Sequence, residues 1–114
     1  MDRLHSISAA GYESLETKLA EEYLVGDLAE RFKALGDATR LRIVLALQER
    51  ELCVHDLARL IGTSESNASH QLRILRGLNI VKFRKQGKQS IYSLDDEHIA
   101  HMIQDMQQHL SEEK

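Results

Sequence analysis

Apolar positions recur along this chain at two different periods, and the changes between them divide it into elements. Residues 1 to about 14 show no clear periodicity, with small and polar residues around Gly11, and are expected as a mobile arm before a single domain over 15–114. Tyr23, Leu24, Leu28, Phe32 and Leu35 then recur at helical spacing, and Gly36 closes the pattern as a C-cap. Asp37 caps a second helix, whose Leu41, Ile43, Val44, Leu45 and Leu47 are dense enough for burial on more than one face. That helix is expected at the centre of the domain. Val54, Leu57, Ala58 and Ile61 make a short third helix ending at Gly62, and Ser64 opens a fourth through Leu72, Leu75 and Leu78. Only Gly62-Thr63 separates them, the sequence form of a helix-turn-helix.

The pattern next changes to the β-branched and aromatic runs Ile80–Arg84 and Ser90–Leu94, joined through Lys85-Gln86-Gly87-Lys88-Gln89. These predict a hairpin with a basic tip, a wing beside the helix pair. A last helix starts near Asp95 or Asp96, with Asp95 as its cap, and carries Ile99, Met102, Ile103, Met106 and Leu110 on one stripe. The fold class expected is therefore mainly α with a β-hairpin wing, a winged helix-turn-helix.

Charge sharpens this reading. The net charge of −3 argues superficially against nucleic acid, but Arg73, Arg76, Lys82, Arg84, Lys85 and Lys88 fall between Ser66 and Leu94 with no acid among them. A basic surface on an acidic protein can bind phosphate while discouraging indiscriminate adhesion to polyanions. The second helix of a helix-turn-helix enters the major groove. Here its exposed face offers Ser66, Asn67, Ser69, His70, Gln71 and Arg73, after Ser64 and Glu65, and the hairpin tip adds Arg84, Lys85, Gln86 and Lys88. No apolar run approaches a membrane span and no secretory-type stretch follows Met1, so a cytoplasmic protein is expected. One cysteine, Cys53, excludes an internal disulfide.

The last helix also holds chemistry. Asp96, His98, His109 and Glu112 have the donor set of a divalent-metal site. His98 and His109 share a flank of the helix but lie roughly 16 Å apart along it, far beyond metal–ligand bonds of about 2.0 to 2.2 Å. An antiparallel copy of the helix from a second subunit would bring Asp96 and His98 of one chain beside His109 and Glu112 of the other, so the spacing predicts a dimer with two symmetry-related sites. Asp105 shares that flank and could assist, whereas His101 points to solvent. Two imidazoles and two carboxylates suit Zn²⁺, with Co²⁺ as a mimic, and the lack of thiolate disfavours softer ions. An open catalytic zinc would need a substrate cleft that paired surface helices do not offer, so no enzyme is expected.

Four strings, Lys33-Ala34-Leu35-Gly36-Asp37, Glu51-Leu52-Cys53-Val54, Ser66-Asn67-Ala68-Ser69-His70-Gln71-Leu72 and Arg84-Lys85-Gln86-Gly87, resemble signatures of the ArsR/SmtB winged-helix metalloregulators, in the expected order. The Asp-x-His and His-x-x-Glu pattern resembles the zinc-sensing subgroup, in which these positions bind zinc across the dimer. The resemblance implies a homodimer joined through its N- and C-terminal helices. It also implies a repressor that holds an operator, an imperfect inverted repeat, when metal-free and releases it when Zn²⁺ binds. It maps base contacts to Ser66, Ser69 and His70, with Glu65 as a departure from the pattern. It further maps a hydrogen bond from the distal histidine to the Asn79 carbonyl. A second candidate metal site, Cys53, His55 and Asp56 with His5, matches only in part, since the chain has no N-terminal cysteines and Cys53 also fits a small buried hydrophobe. The alternatives are response to another divalent metal, or to an oxidant through Cys53.

Overall fold

An oxygen-bearing side chain stands at the start of four of the six helices among the described residues, where it takes up N–H groups that the first turn leaves unpaired. The computed structural model describes residues 6–113. Ser8 caps α1 (Ala9–Leu19), Asp37 caps α3 (Ala38–Glu49), Ser64 caps α5 (Glu65–Gly77) and Asp96 caps α6 (Glu97–Glu112). α2 (Glu22–Leu35) and α4 (Val54–Ile61) begin without a side-chain cap. Three strands, β1 (Leu52–Cys53), β2 (Val81–Gln86) and β3 (Gln89–Leu94), complete the described residues.

The sheet is antiparallel in the order β1-β3-β2. β2 and β3 form the wing, from Val81 opposite Leu94 to Gln86 opposite Gln89, closed by Gly87 at φ 64° and Lys88. β1 pairs Leu52 with Tyr92 and Cys53 with Ile91, so the α3–α4 connection is stitched to the base of the wing. The core lies where α3, α4 and α5 meet this sheet. Ile43, Leu57, Leu72, Leu75, Ile80, Val44 and Val81 are its fully buried side chains, and the partly buried Tyr92, Leu94 and Ile99 pack around them. The expectation that α3 is central holds: Ile43, Val44 and Leu47 are all buried.

The helix-turn-helix turns on Gly62, which stands in the left-handed region at φ 78° while Thr63 N–H donates to the Ala58 carbonyl at 3.0 Å. α5 ends in a similar way on Asn79, at φ 59°. Ile80 N–H reaches back to the Leu75 carbonyl at 3.0 Å and Asn79 N–H to that of Arg76 at 3.0 Å. Asparagine tolerates this conformation better than other residues with a side chain.

Two expectations are corrected. The unpatterned arm to residue 14 is helical from Ala9 onward. Its Tyr12, Leu15 and Leu19 do recur at helical spacing, but α1 buries no residue, so it has no internal counterpart to mark it in the sequence. The cap of α6 is Asp96, not Asp95. Extended backbone at Asp96 lets its carboxylate accept from His98 N–H at 2.9 Å and Ile99 N–H at 3.3 Å. Asp95 instead closes the base of the wing, its N–H donating to the Ile80 carbonyl at 2.9 Å.

The radius of gyration, 18.9 Å, exceeds the roughly 13 Å of a compact domain of this length. α1 buries no residue, α2 and α6 reach the core through Ala34 and Ile103, and the three helices leave Tyr12, Leu15, Leu28, Phe32, Met106 and Leu110 exposed. Among the described residues, no helix is long and apolar enough to cross a membrane.

Two glycines should answer the same substitution with opposite sign. Gly62→Ala should destabilise the protein by about 1 to 2 kcal/mol because a Cβ is strained at this backbone angle. Gly77→Ala, in right-handed helix with open space around the added carbon, should stabilise it by about 0.5 to 1 kcal/mol. Urea unfolding of both variants checks the pair.

Candidate nucleic-acid interface and metal-donor helix

At about 100° per residue, the perimeter of α5 divides into strips with different neighbours. Ala68, Leu72 and Leu75 form the buried side. Opposite them, Ser66, His70 and Arg73 fall within about 60° of one another and all three are exposed. Ser64 and Glu65 stand exposed at the N-terminal end of this strip. Ser69 and Arg76 lie on the flank facing the wing, while Asn67 and Gln71 lie on the flank facing α3.

Asn67 and Gln71 are half-buried and already engaged. Asn67 donates to the Thr63 hydroxyl at 2.9 Å, and its amide oxygen accepts from Gln71 at 3.3 Å. The Gln71 oxygen accepts from Arg40 Nη1 at 3.0 Å, and Arg40 Nε donates to the Ala34 carbonyl at 3.0 Å. One guanidinium thus ties the last turn of α2 to the middle of α5, and the amides carry the connection on to the turn of the helix-turn-helix. Of the polar residues expected on the exposed face, the structure presents Ser66, His70 and Arg73 outward, half-buries Ser69, and turns Asn67 and Gln71 toward the domain.

At the wing, Arg84, Lys85, Gln86 and Lys88 are exposed. The segment that carries them is free of acids, but the surface is not. Arg84 donates to Glu51 at 2.9 Å and to the Gln86 oxygen at 2.9 Å, and Glu65 lies 3.3 Å from His55 Nδ1. Lys85 and Lys88 make no ion pair among the described residues. Arg76 lies over the Phe83 ring, 4.9 Å from its centroid, and Phe83 packs on Tyr92 with centroids 5.4 Å apart.

The four expected metal donors occupy the two ends of α6. His98 Nδ1 is 3.6 Å from Asp96 Oδ2, and its side chain is 93% exposed. His109 Nε2 is 3.0 Å from Glu113 Oε1, with 64% exposure, while Glu112 accepts from Gln108 at 3.2 Å. Among the described residues no three His, Cys, Asp or Glu side chains of one chain gather closely enough to hold an ion. The Asp96 carboxyl is held below its ordinary value of 3.8, chiefly by the Ile99 N–H and further by His98, against the opposing effect of desolvation. The sign follows from linkage: this cap contributes above the ordinary carboxylate range and is lost as pH falls through the lowered value. His101 is exposed, and so is Asp105.

Of the second candidate donor set, Cys53, His55 and Asp56 form no three-donor cluster among the described residues. Cys53 is 9% exposed, at the head of α4, and shares a depression with His55, Glu65 and Lys88. Asp56 lines a different hollow, with Arg50, Arg59 and Leu60. His5 lies outside the described residues.

Residues 37–82 match the pattern of the bacterial regulatory proteins of the arsR family. Over 85 residues the chain is 48% identical to the transcriptional repressor SmtB homolog of Synechocystis sp., covering 75% of this chain and 64% of that protein. Over 79 residues it is 51% identical to the cadmium resistance transcriptional regulatory protein CadC homolog of Staphylococcus aureus, covering 68% and 65%. A homodimeric winged helix-turn-helix DNA-binding domain from Mycobacterium bovis, known from solution NMR, superposes with a TM-score of 0.77 at 26% identity, covering 82% of this chain and 89% of that one. The chain belongs to the ArsR family. It spans slightly under two thirds of the length of the curated relatives it matches, which are transcriptional regulators and not enzymes.

In this ArsR-family chain, sequence reasoning missed Arg40, Glu51 and Glu113. Arg40 and Glu51 act across separations of 31 and 33 residues, which periodicity does not register. Glu113 was legible as an i, i+4 partner of His109.

Arg40→Lys keeps the charge but not the fork that reaches two acceptors at once. It should cost about 0.5 to 1.5 kcal/mol in urea unfolding. Because Gln71→Ala removes a bond of the same chain, the double variant should lose less than the sum of the two single losses. An additive result would mean the two side chains do not act together.

Proposed function

We propose that this protein is a metal-responsive transcriptional repressor that holds operator DNA as a metal-free homodimer and releases it when Zn²⁺ binds between the subunits. The observation that carries this reading is the placement of one histidine-carboxylate pair at each end of α6, on a subunit that buries Ile103 of the same helix but leaves Met106 and Leu110 of its apolar stripe exposed. Two antiparallel copies of α6 would cover the stripe and complete two sites, each with Asp96 and His98 of one chain and His109 and Glu112 of the other. When bound, Zn²⁺ would supply a fixed cross-link between subunits. Nitrogen and oxygen donors without sulfur favour Zn²⁺ over Cd²⁺. The likeness to regulators named SmtB and CadC supports the metal-responsive class.

The reading strip of α5, with Ser66 and His70 and with Ser69 at its edge, faces the major groove in this proposal. Ser64, Arg73, Lys85, Gln86 and Lys88 lie toward the backbone. Arg84, held by Glu51, contributes less net charge there than its neighbours. Glu65, beside His55, disfavours a phosphate at the start of the helix. Asn67 and Gln71 hold α5 in place rather than read bases. Asn79, in its left-handed turn directly after α5, offers the carbonyl through which the distal histidine would connect the metal site to the reading helix. The effector can change DNA affinity only by its preference between two dimer shapes, so a useful switch needs a coupling of about 1 to 3 kcal/mol. The oxidant alternative is weakened by the burial of the Cys53 thiol.

A gel shift with DNA from upstream of the chain's own coding sequence, titrated with Zn²⁺, Co²⁺, Ni²⁺ and Cd²⁺, tests binding, sign and selectivity together. His98→Ala and His109→Gln should bind that DNA as the parent does but fail to release it with Zn²⁺, whereas Cys53→Ser should respond normally. Loss of metal-free binding in the histidine variants would instead assign them a structural role.

Zinc binding should weaken below about pH 6, because imidazole must be neutral to ligate. A competition titration with a chromogenic chelator at several pH values would show it. A flat profile from pH 7 to 5 would argue against two histidine ligands.

A further inference from the structure

Beside the reading strip of α5, a cleft of about 350 Å³ opens toward the wing, lined by Val54, Ser69, Arg73, Arg76, Ser90 and Tyr92. Its polar lining consists of two guanidinium groups and three hydroxyls, with no carboxylate. Ser69, Arg73 and Arg76 come from one edge of α5, while Ser90 and Tyr92 share a face of β3 two residues apart. The cleft therefore joins the helix and the wing in a single concave surface rich in hydrogen-bond donors.

Its arginines differ from the other basic residue held at the wing. Arg84 is matched by Glu51, but neither Arg73 nor Arg76 makes an ion pair among the described residues. Arg76 is nonetheless held in place, stacked over Phe83, which is braced in turn by Tyr92. Stacking uses the face of a guanidinium and leaves its N–H edge available. A side chain ordered before binding loses less entropy when its ligand arrives.

We propose that this cleft is a clamp for one backbone phosphate of bound duplex DNA, shared by Arg73 and Arg76 with hydroxyl donors around it. The assignment rests on the DNA-binding reading above and deepens it by adding Arg76, Ser90 and Tyr92 to the interface. A phosphodiester fits because a duplex laid on Ser66 and His70 must carry its backbone past the flank of α5. The clamp fixes the wing and the reading helix on the same strand position.

The test is the salt dependence of DNA binding by the full chain. Arg73→Ala and Arg76→Ala should each weaken binding and lower the slope of log K against log salt by up to about 0.9, the value of one phosphate contact. This should hold on promoter DNA and on random sequence alike. Because the phosphate is shared, the double variant should lose about 0.9 in total. A loss near 1.8 would overturn the shared clamp, and unchanged slopes would overturn the site. Phe83→Leu should weaken binding with the slope retained, since it frees Arg76 without removing its charge; unchanged affinity would overturn the role given to stacking. Inorganic phosphate, titrated at constant ionic strength against labelled protein, should give no saturable shift of the Arg76 side-chain signal. A saturable shift with unchanged DNA slopes would assign the cleft to a free phosphate instead and overturn the clamp. Parent protein that binds no duplex at all would sink the DNA-binding reading, whereas parent binding with unaltered variant slopes would sink only this cleft.

Discussion

Leu72 and Leu75 lose all their solvent contact in meeting Ile43, Val44 and Leu57, and the rotational setting of α5 follows from that burial. A helix fixed by one face has no freedom to choose what its other faces present. Each fully buried leucine contributes about 1.5 to 3 kcal/mol relative to an exposed one, so rotating α5 to offer Asn67 or Gln71 outward would cost more than either amide could return. The left-handed turns at Gly62 and Asn79 stop the helices on either side of this arrangement. Arg40 then secures it from the side that the apolar core does not reach.

The same division between local and distant interactions explains what was legible in the sequence. α4, α5, the wing and α6 were readable because each has its own period, with its cap or turn residue beside it. β1 was not, because two residues form a strand only by pairing with Tyr92 and Ile91, some forty positions away. α1 was hidden for a different reason: its stripe meets nothing inside the subunit, so a short amphipathic run looked like a tail. The choice between Asp95 and Asp96 as cap depended on where the hairpin closed, which neighbouring residues alone do not encode.

The candidate sites divide along similar lines. The separation of the α6 donors could be calculated from helix geometry alone, and the structure keeps the two pairs at opposite ends of the helix. The character of the basic surface could not be foreseen in full. Glu51 arrives from another element to sit on Arg84, and Glu65 turns toward His55. An acid-free stretch of sequence became a surface with strong and weak positions, and the two arginines of that stretch without carboxylate partners among the described residues fall in the cleft between helix and wing.

Among the described residues, the order β1-β3-β2 leaves one long flank of the sheet unpaired. An open strand edge is a template on which other chains can add and aggregate. Here that edge is β2, and its exposed side chains are Lys82, Arg84, Lys85 and the uncharged Gln86. Two copies brought edge to edge would set like charges against each other, so the residues that make the wing basic also protect it from sticking to itself.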